Sequence, residues 1–180
     1  MTEGLEDRSR MATFRIVPDR SRVWVDARTS VHPVHGEADG LQGSIEAEVD
    51  GGRLDLSAPV RLHLELPVAR LTSGNLLYDG EMQRRIQARR YPTITGEARE
   101  VREVDGGGRY QVLGDLTFHG VTRSVEGEVA VDLPDERTLV VEGEQVFDVR
   151  AFNLEPPKIL LLRVHPDVTV RVRVVAERED

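Results

Sequence analysis

Hydrophobic and polar residues alternate with a period of two along most of the chain. A very regular example lies near the C-terminus, where the run VTVRVRV covers residues 168–174. Because successive side chains of a β-strand point to opposite faces, this alternation predicts a strand that is buried on one face only. Similar runs occur at residues 22–28, 45–49, 60–66, 94–98 and 139–147. With turn residues between the runs, the pattern predicts an all-β fold, either a closed antiparallel barrel or a sandwich.

A hairpin with a tight turn at His119 and Gly120 is predicted inside the run GDLTFHGVTRSVEGEVAV, residues 114–131. With this turn, Phe118 opposes Val121, and the apolar positions of both strands share one face. Gly120 tolerates the positive φ that the turn requires, and histidine enters that region more readily than most residues. We therefore interpret His119 as a hairpin corner rather than as a catalytic acid or base.

One segment, residues 75–90, has the periodicity of a helix. Met82 and Ile86 lie four positions apart, which places them on the same face of a helix. Asn75 is a suitable N-terminal cap, and Pro92 ends the segment. The sequence therefore predicts a single short helix among the strands.

The length of 180 residues fits a single domain, which we place at residues 13–178 after a disordered lead-in at residues 1–12. The net charge of -8 argues against a nucleic-acid partner, since such proteins carry a basic surface. Cysteine is absent, which excludes disulfides and thiolate chemistry. No apolar run is long enough to span a membrane, and the first residues contain no secretory signal, so a cytoplasmic location is expected.

Three segments carry motifs that are typical of one family. They are GDLTFHGVTRSV at residues 114–125, RRYPTITGEA at residues 89–98 and SGNLLYDGEM at residues 73–82. These resemble the GDLTIHGVTKPV, KYPTITF and TGN-x-x-RD-x-HL segments of the YceI-like proteins, which are lipocalin-like barrels associated with polyisoprenoids and other lipids. The resemblance extends over nearly all of residues 14–176.

The chain also departs from the family pattern at several positions. Tyr78 and Glu81 stand where the family usually has an arginine and a histidine, whereas Asp79 is kept. Ala151 and Asn153 replace an aspartate and a glycine in the later segment, where the family tends to have R-D-F-G. The resemblance therefore supports the fold more strongly than it supports any particular ligand.

The resemblance implies an all-β, antiparallel, eight-stranded lipocalin-like β-barrel with one short helix at residues 75–90. It also implies a non-enzymatic protein that holds a long apolar ligand inside the barrel: a polyisoprenoid, an isoprenoid quinone or a fatty-acid-like lipid. The residues expected to line the ligand are Val23, Val25, Ile45, Leu62, Leu64, Met82, Ile86, Phe118, Val129 and Phe147. The alternative is that these residues pack a dry core, as in a ligand-free structural or protein-interaction barrel.

A basic cluster follows in MQRRIQARRY, residues 82–91. Arg85 and Arg89 are candidates for binding an anionic headgroup, because guanidinium groups form paired hydrogen bonds with phosphate or carboxylate oxygens. The alternative is a solvated helix face that neighbouring acids such as Glu81 balance. A barrel of this size could also form a homodimer through an exposed strand face.

Two other groups of residues invite a chemical interpretation. His32, His35 and Glu37 are potential metal ligands, but the spacing is common by chance, so we expect no metal site. Asp79 and Arg150 are the candidates for polar groups inside the barrel, which an enzyme acting on a hydrophobic substrate would need. Nucleophile-elbow, P-loop and dinucleotide motifs are absent, so the sequence predicts neither an enzyme nor a cofactor.

Overall fold

The structure, a computed structural model, describes residues 11–156, 158–159 and 161–180. In this part of the chain there are twelve β-strands and one α-helix, α1 at Leu76–Ile86. Short 3₁₀ turns occupy Pro18–Arg20, Val68–Arg70 and Val149–Phe152. The strands are β1 Met11–Ile16, β2 Arg22–Thr29, β3 Val34–Ala38, β4 Gln42–Asp50, β5 Arg53–Asp55, β6 Arg61–Pro67, β7 Thr93–Asp105, β8 Arg109–Phe118, β9 Val121–Asp135, β10 Thr138–Asp148, β11 Lys158–Ile159 and β12 Leu162–Arg178.

These strands form a closed, eight-stranded antiparallel barrel, which confirms the predicted fold. Strands β1 and β2 act as one broken strand along β12, because Ile16 lies opposite Ala176 and Arg22 lies opposite Arg173. Strands β3 and β4 pair with β2 and β1 and form a second broken strand. The ring continues through β6, β7, β8, β9 and β10 to β12, while β5 and β11 extend β4 and β12 as short hairpins.

A buried serine makes the break between β1 and β2 possible. The Ser21 hydroxyl lies 2.9 Å from the carbonyl oxygen of Val17 and accepts a hydrogen bond of 3.0 Å from the amide of Val175. Ser21 is only 1% exposed, so these bonds satisfy backbone groups that the interrupted ladder would leave unpaired. The kink therefore costs the barrel few of its hydrogen bonds.

The first described strand lies closer to the N-terminus than the sequence pattern indicated. Ala12, Phe14 and Ile16 of β1 are buried in the main hydrophobic cluster. The predicted lead-in covered residues 1–12, but Met11 and Ala12 are part of β1, and the remainder of that segment lies outside the described residues. The alternation within MATFRI is the signal that indicates this strand.

The two ends of the barrel differ in structure. Antiparallel connection of the strands places the turns at residues 51–52, 106–108 and 136–137 at one end, which we call the packed end. The opposite end, the mouth, carries the β2–β3 loop, α1, the β8–β9 turn and the described residues between β10 and β12. The main buried cluster includes Phe14, Ile16, Ile45, Leu139, Val174 and Ala176 in the half toward the packed end, and it extends to Leu66 nearer the mouth.

The helix is confirmed but is shorter than predicted. The Asn75 side chain accepts hydrogen bonds from two backbone amides in the first turn, as expected of an N-terminal cap. The helix ends at Ile86, not near residue 90, because Gln87 takes a left-handed conformation with φ of 53°. Its amide then bonds the carbonyl oxygen of Arg84, which closes the last turn. Within the described residues, no helix has the length and apolar character needed to cross a membrane.

The β8–β9 hairpin also has the predicted register. Phe118 lies opposite Val121, and His119 and Gly120 have φ values of 53° and 72°. Both central residues therefore occupy the left-handed region, which is the geometry of a type I′ hairpin turn. The interpretation of His119 as a hairpin corner is confirmed.

Candidate functional site

Along β12, the inward side chains are buried at the packed end and only half-buried toward the mouth. On β12, Val174 and Ala176 are 3% and 0% exposed. Val170 and Val172 occupy the same face of this strand and pack against the main cluster, but each is only half-buried. Since alternate residues of a strand share a face, this remaining exposure means that solvent reaches the inward side chains at this level.

Strands β9 and β10 continue this half-buried wall. Val131 lies opposite Val141, and Val129 lies opposite Gly143, in phase with the buried positions of β12. Glycine at position 143 allows Val129 to pack closely against β10, because a Cβ atom built there would lie only 3.0 Å from Cγ1 of Val129. Phe147 is half-buried on the same face. A half-buried apolar surface therefore extends from the core toward the mouth.

Gln145 is a polar side chain at an inward position of this apolar wall. Gln145 lies on β10 opposite Val170, and its Oε1 is 3.3 Å from the position that a Cβ atom at Gly127 would take. Its side chain is exposed and makes no hydrogen bond within the described part of the chain. The amide can therefore bind water or the polar group of a ligand. In the sequence it is visible as a glutamine at an inward position of the run 139–147.

The structure divides the ten predicted lining residues between the barrel and a smaller cluster below α1. Val23, Ile45 and Ile86 are buried, and the other seven are half-buried. The barrel group comprises Val23, Val25, Ile45, Leu62, Leu64, Val129 and Phe147, and the helix group comprises Met82, Ile86 and Phe118. Their role in contacting a ligand stays a prediction.

The C-terminal half of α1 is held against the mouth. Ile86 and Met82 pack in a cluster with Val68, Phe118 and Leu154. The β8–β9 turn supports this cluster through the ring of His119. Its Nδ1 lies 3.0 Å from the carbonyl oxygen of Phe152, and its Nε2 lies 3.4 Å from the side-chain nitrogen of Gln87. The N-terminal turn of α1 has exposed leucines instead. That turn, the β2–β3 loop and Leu161 all lie at the rim of the mouth.

The two candidate headgroup residues differ in their surroundings. The Nε of Arg85 lies 3.0 Å from Oε1 of Glu81, which Arg84 also binds. Hydrogen bonds from Arg84 and Arg85 lower the pKa of the Glu81 carboxyl, so this group stays charged. Arg89 is exposed and forms no ion pair within the described residues. Of the two arginines, Arg89 is the one whose guanidinium remains available.

Asp79 and Arg150 do not point into the barrel, so this prediction was wrong. Asp79 accepts hydrogen bonds from the amide and hydroxyl of Ser73, at 2.8 and 2.6 Å, and from the hydroxyl of Thr72. Partial burial alone would raise the pKa of Asp79, but these bonds together lower it. Arg150 is exposed and binds Asp148 at 2.7 Å. Both side chains therefore organise local turns.

The histidine motif near the mouth does not assemble into a ligand set. The ring of His32 bonds the neighbouring carbonyl of Pro33, while His35 faces outward and pairs with Asp26. Glu37 pairs with Arg22. Across the described residues, no group of three or more histidine, aspartate or glutamate side chains is arranged to hold a metal ion.

His63 lies on the outer face of β6, between the inward positions of Leu62 and Leu64. Its ring lies 3.0 Å from Glu65 and 3.2 Å from Glu97. The hydrogen bond to the Glu65 carboxylate, and a second one to Glu97, raise the pKa of His63. The arrangement is an exposed charge cluster on the outer wall, away from the barrel interior.

Two shallow grooves on the outer wall were not predicted from the sequence. They have volumes of about 490 and 410 Å³ and meet at Trp24, whose ring lies 4.9 Å from the guanidinium of Arg171. Acidic residues border both grooves, with Glu142 on one side and Asp26 on the other. Both grooves are open to solvent on the polar face of the sheet, so they are poor sites for an apolar chain.

Comparison with known structures identifies the same barrel in other proteins. BcnA of Burkholderia cenocepacia superposes with a TM-score of 0.76 at 19% identity, over 89% of this chain and 98% of that one. A polyisoprenoid binding domain from Saccharophagus degradans, implicated in plant cell wall breakdown, superposes with a TM-score of 0.73 at 15% identity. The match covers 92% of this chain and 98% of that one. The Campylobacter jejuni YceI protein superposes with a TM-score of 0.65 at 16% identity, over 82% of this chain and 86% of that one. At these identities the likeness shows the fold.

The sequence itself identifies the family. Among curated proteins no sequence matches this chain. The YceI-like domain family, however, matches residues 14–176, which is nearly the whole barrel. The matched segment runs from β1 to the last buried residue of β12. The chain therefore belongs to the YceI-like family.

Proposed function

We propose that this protein is a non-enzymatic lipid-binding barrel that holds one long apolar chain between its core and its mouth. The observation that carries the proposal is the half-buried inner wall of β9, β10 and β12, next to the buried core residues Phe14, Leu139 and Val174. Apolar side chains with free space before them gain dispersion contacts and exclude water when a hydrocarbon chain enters. The polyisoprenoid binding domain with the same fold is consistent with this role.

A polyisoprenoid, an isoprenoid quinone and a fatty-acid-like lipid are the ligand classes that fit such a wall. Each is a long, flexible hydrocarbon with at most one polar end, so affinity would come mainly from apolar burial, at about 0.8 kcal/mol per CH₂ group. Val25, Leu62, Leu64, Val129 and Phe147 are half-buried and would contact the chain. Val23 and Ile45 are already buried and would form the floor.

The polar end of the ligand would lie at or near the mouth. Arg89 is free to bind an anionic headgroup, whereas Arg85 would first have to leave Glu81. Gln145 lies deeper, beside Val170, and its amide would suit a neutral group such as a carbonyl oxygen. A ligand with a phosphate would therefore depend on Arg89, and a quinone would depend on Gln145.

The alternative, a ligand-free interaction barrel, requires that side chains fill the interior. The half-buried wall favours lipid binding over this alternative, because a filled barrel would bury inward valines on β12 as completely as it buries Val174. The packed end alone meets the requirement of a filled core. An enzyme would need a polar reacting group in the interior, and the proposal assigns no such role to Gln145.

Native mass spectrometry of the purified protein, with organic extraction and lipid analysis, tests the proposal. We expect one long-chain lipid per barrel, or uptake of a polyprenyl alcohol, decylubiquinone or palmitic acid when these are offered. Val170→Trp should abolish retention, because the indole would occupy the space before the half-buried wall. A barrel that arrives empty and takes up none of these lipids contradicts the proposal.

The matched control is Thr169→Trp on the same strand. Thr169 lies opposite Asp26 and Val146, on the face that points away from the interior. The same indole there should leave lipid retention unchanged, provided that circular dichroism shows both variants folded. Equal loss of lipid in the two variants would mean that retention does not depend on the interior.

A further inference from the structure

Four of the exposed large hydrophobic side chains lie together at the mouth. Leu76 and Leu77 in the first turn of α1 are 89% and 71% exposed, Val31 in the β2–β3 loop is 71% exposed, and Leu161 in the β11–β12 turn is 89% exposed. We call these four residues the mouth tips. Side chains of this size are seldom exposed to water without a partner when several lie close together.

Backbone contacts connect the segments that carry the mouth tips. The amide of Ser30, next to Val31, donates to the carbonyl oxygen of Arg163 at 3.0 Å, which joins the β2–β3 loop to the start of β12. The segment before α1 is joined to β3 by two hydrogen bonds of 2.9 Å between Glu37 and Thr72. The mouth tips therefore lie on connected segments at the same rim of the barrel.

The mouth also carries cations that no acid neutralises. Five exposed basic residues at this end form no ion pair within the described part of the chain: Arg28, Arg89, Arg90, Lys158 and Arg163. Most acids nearby have partners. Glu81 binds Arg84 and Arg85, and Asp148 binds Arg150. Glu155 forms no such bond in that part, Asp79 bonds only uncharged groups, and Asp167 pairs only with His165. These three acids are fewer than the five cations, so positive charge outweighs negative charge at this end.

We propose that the mouth docks onto an anionic lipid bilayer. The mouth tips would enter the boundary between headgroups and acyl chains, and the five free cations would face the lipid phosphates. The whole chain has a net charge of -8, so an anionic surface repels most of the molecule and attracts this end. Docking would thus have a fixed orientation, with the barrel opening toward the membrane.

The form of the surface favours a bilayer over a protein partner. The mouth tips project from three separate segments and do not form one groove that a partner side chain could fill. Apolar tips that share one end of the barrel but project from separate segments, with arginine and lysine beside them, are suited to a fluid interface, which adapts to each tip. The proposal goes beyond lipid binding in the barrel and does not depend on it.

Flotation of the full chain with vesicles tests the docking. The vesicles contain phosphatidylcholine alone or phosphatidylcholine mixed with phosphatidylglycerol, and neither contains prenyl lipids. We expect binding to the anionic vesicles only, with weakening as salt is raised. Arg28→Gln together with Arg163→Gln removes two cations and should lower the partition coefficient about 25-fold, because each charge near an anionic surface contributes a factor of about five. Leu76→Ser with Leu77→Ser should lower it at least about tenfold.

Matched controls come from the packed end. Val104 is 51% exposed there, and Arg53 and Arg178 are exposed arginines at the same end. Val104→Ser, and Arg53→Gln with Arg178→Gln, should leave vesicle binding unchanged despite the same loss of charge. Equal weakening by the packed-end variants would overturn the proposal. No binding to either vesicle would also overturn it, and an acidic protein surface would then be the partner to seek.

Discussion

Gly120 illustrates how one residue fixes the geometry of the mouth. It has a φ of 72°, and a Cβ atom there would lie 2.6 Å from Cε1 of Tyr91. The ring of Tyr91 in turn packs edge-on against His119, with centroids 5.2 Å apart. The glycine is therefore required both for the backbone conformation and for the contact between the turn and the segment after α1.

We expect Gly120→Ala to lower the free energy of unfolding by about 2–3 kcal/mol, the sum of backbone strain and the clash with Tyr91. Gly51→Ala is the control, because Gly51 has a φ of 57° and a Cβ atom there would meet no other atom within 4 Å. Gly51→Ala should lower the free energy of unfolding by about 1 kcal/mol, from backbone strain alone. Urea denaturation measures both. In a Tyr91→Ala background the cost of Gly120→Ala should fall to that of Gly51→Ala; an unchanged cost would contradict the assigned clash.

At the scale of elements, Asp79 joins α1 to the segment that precedes it. Its carboxylate binds Ser73 and Thr72, and it lies in the first turn of the helix, where a negative charge also interacts favourably with the helix dipole. Thr72 in turn bonds Glu37 of β3. The position of α1 over the mouth therefore depends on this carboxylate.

Asp79→Asn should lower the free energy of unfolding by about 1–2 kcal/mol at neutral pH, because it weakens hydrogen bonds to a charged acceptor. The pKa of Asp79 is lowered in the folded state. Its contribution is therefore present above the unfolded pKa of about 3.9 and is lost as pH falls through the folded pKa. Denaturation curves of the two proteins should converge in acid. Glu155→Gln is the control and should change stability at neither pH.

The elements that the sequence predicted are those with local signals. The hairpin at His119 has turn chemistry and paired alternation, and the N-terminus of α1 has Asn75 as its cap. The break at residues 17–21 depends instead on Ser21 and Val175, which are far apart in sequence. Such contacts exist only in the folded barrel, so periodicity cannot indicate them.

The candidate site could be predicted only in part, because some of its features also depend on contacts that exist only in the folded barrel. Alternation identified which side chains face inward, and the structure places residues such as Val25 and Leu64 against the barrel core. How much space remains before each one depends on the radius of the closed barrel and on glycines such as Gly143 on a neighbouring strand. The distinction between Arg85 and Arg89 likewise depends on which one Glu81 binds in the folded helix.

At the scale of the whole molecule, stability and binding are assigned to opposite halves of one barrel. The packed end supplies buried contacts around Phe14, Leu139 and Val174, which are each no more than 3% exposed. The half toward the mouth has inward apolar side chains that remain half-buried. A barrel can leave this half unfilled because hydrogen bonds around the closed ring hold its walls in place.

Val174 and Val170 test this division on a single strand, since they share residue type, strand and face but differ in burial. Val174→Ala should lower the free energy of unfolding by about 2–3 kcal/mol, because it removes buried methyl groups and leaves a cavity. Val170→Ala should cost about 1 kcal/mol or less, because the lost methyl groups already face free space. Chemical denaturation of the lipid-free protein measures both. Equal costs would mean that the barrel is packed along its whole length, and the space proposed for a lipid chain would not exist.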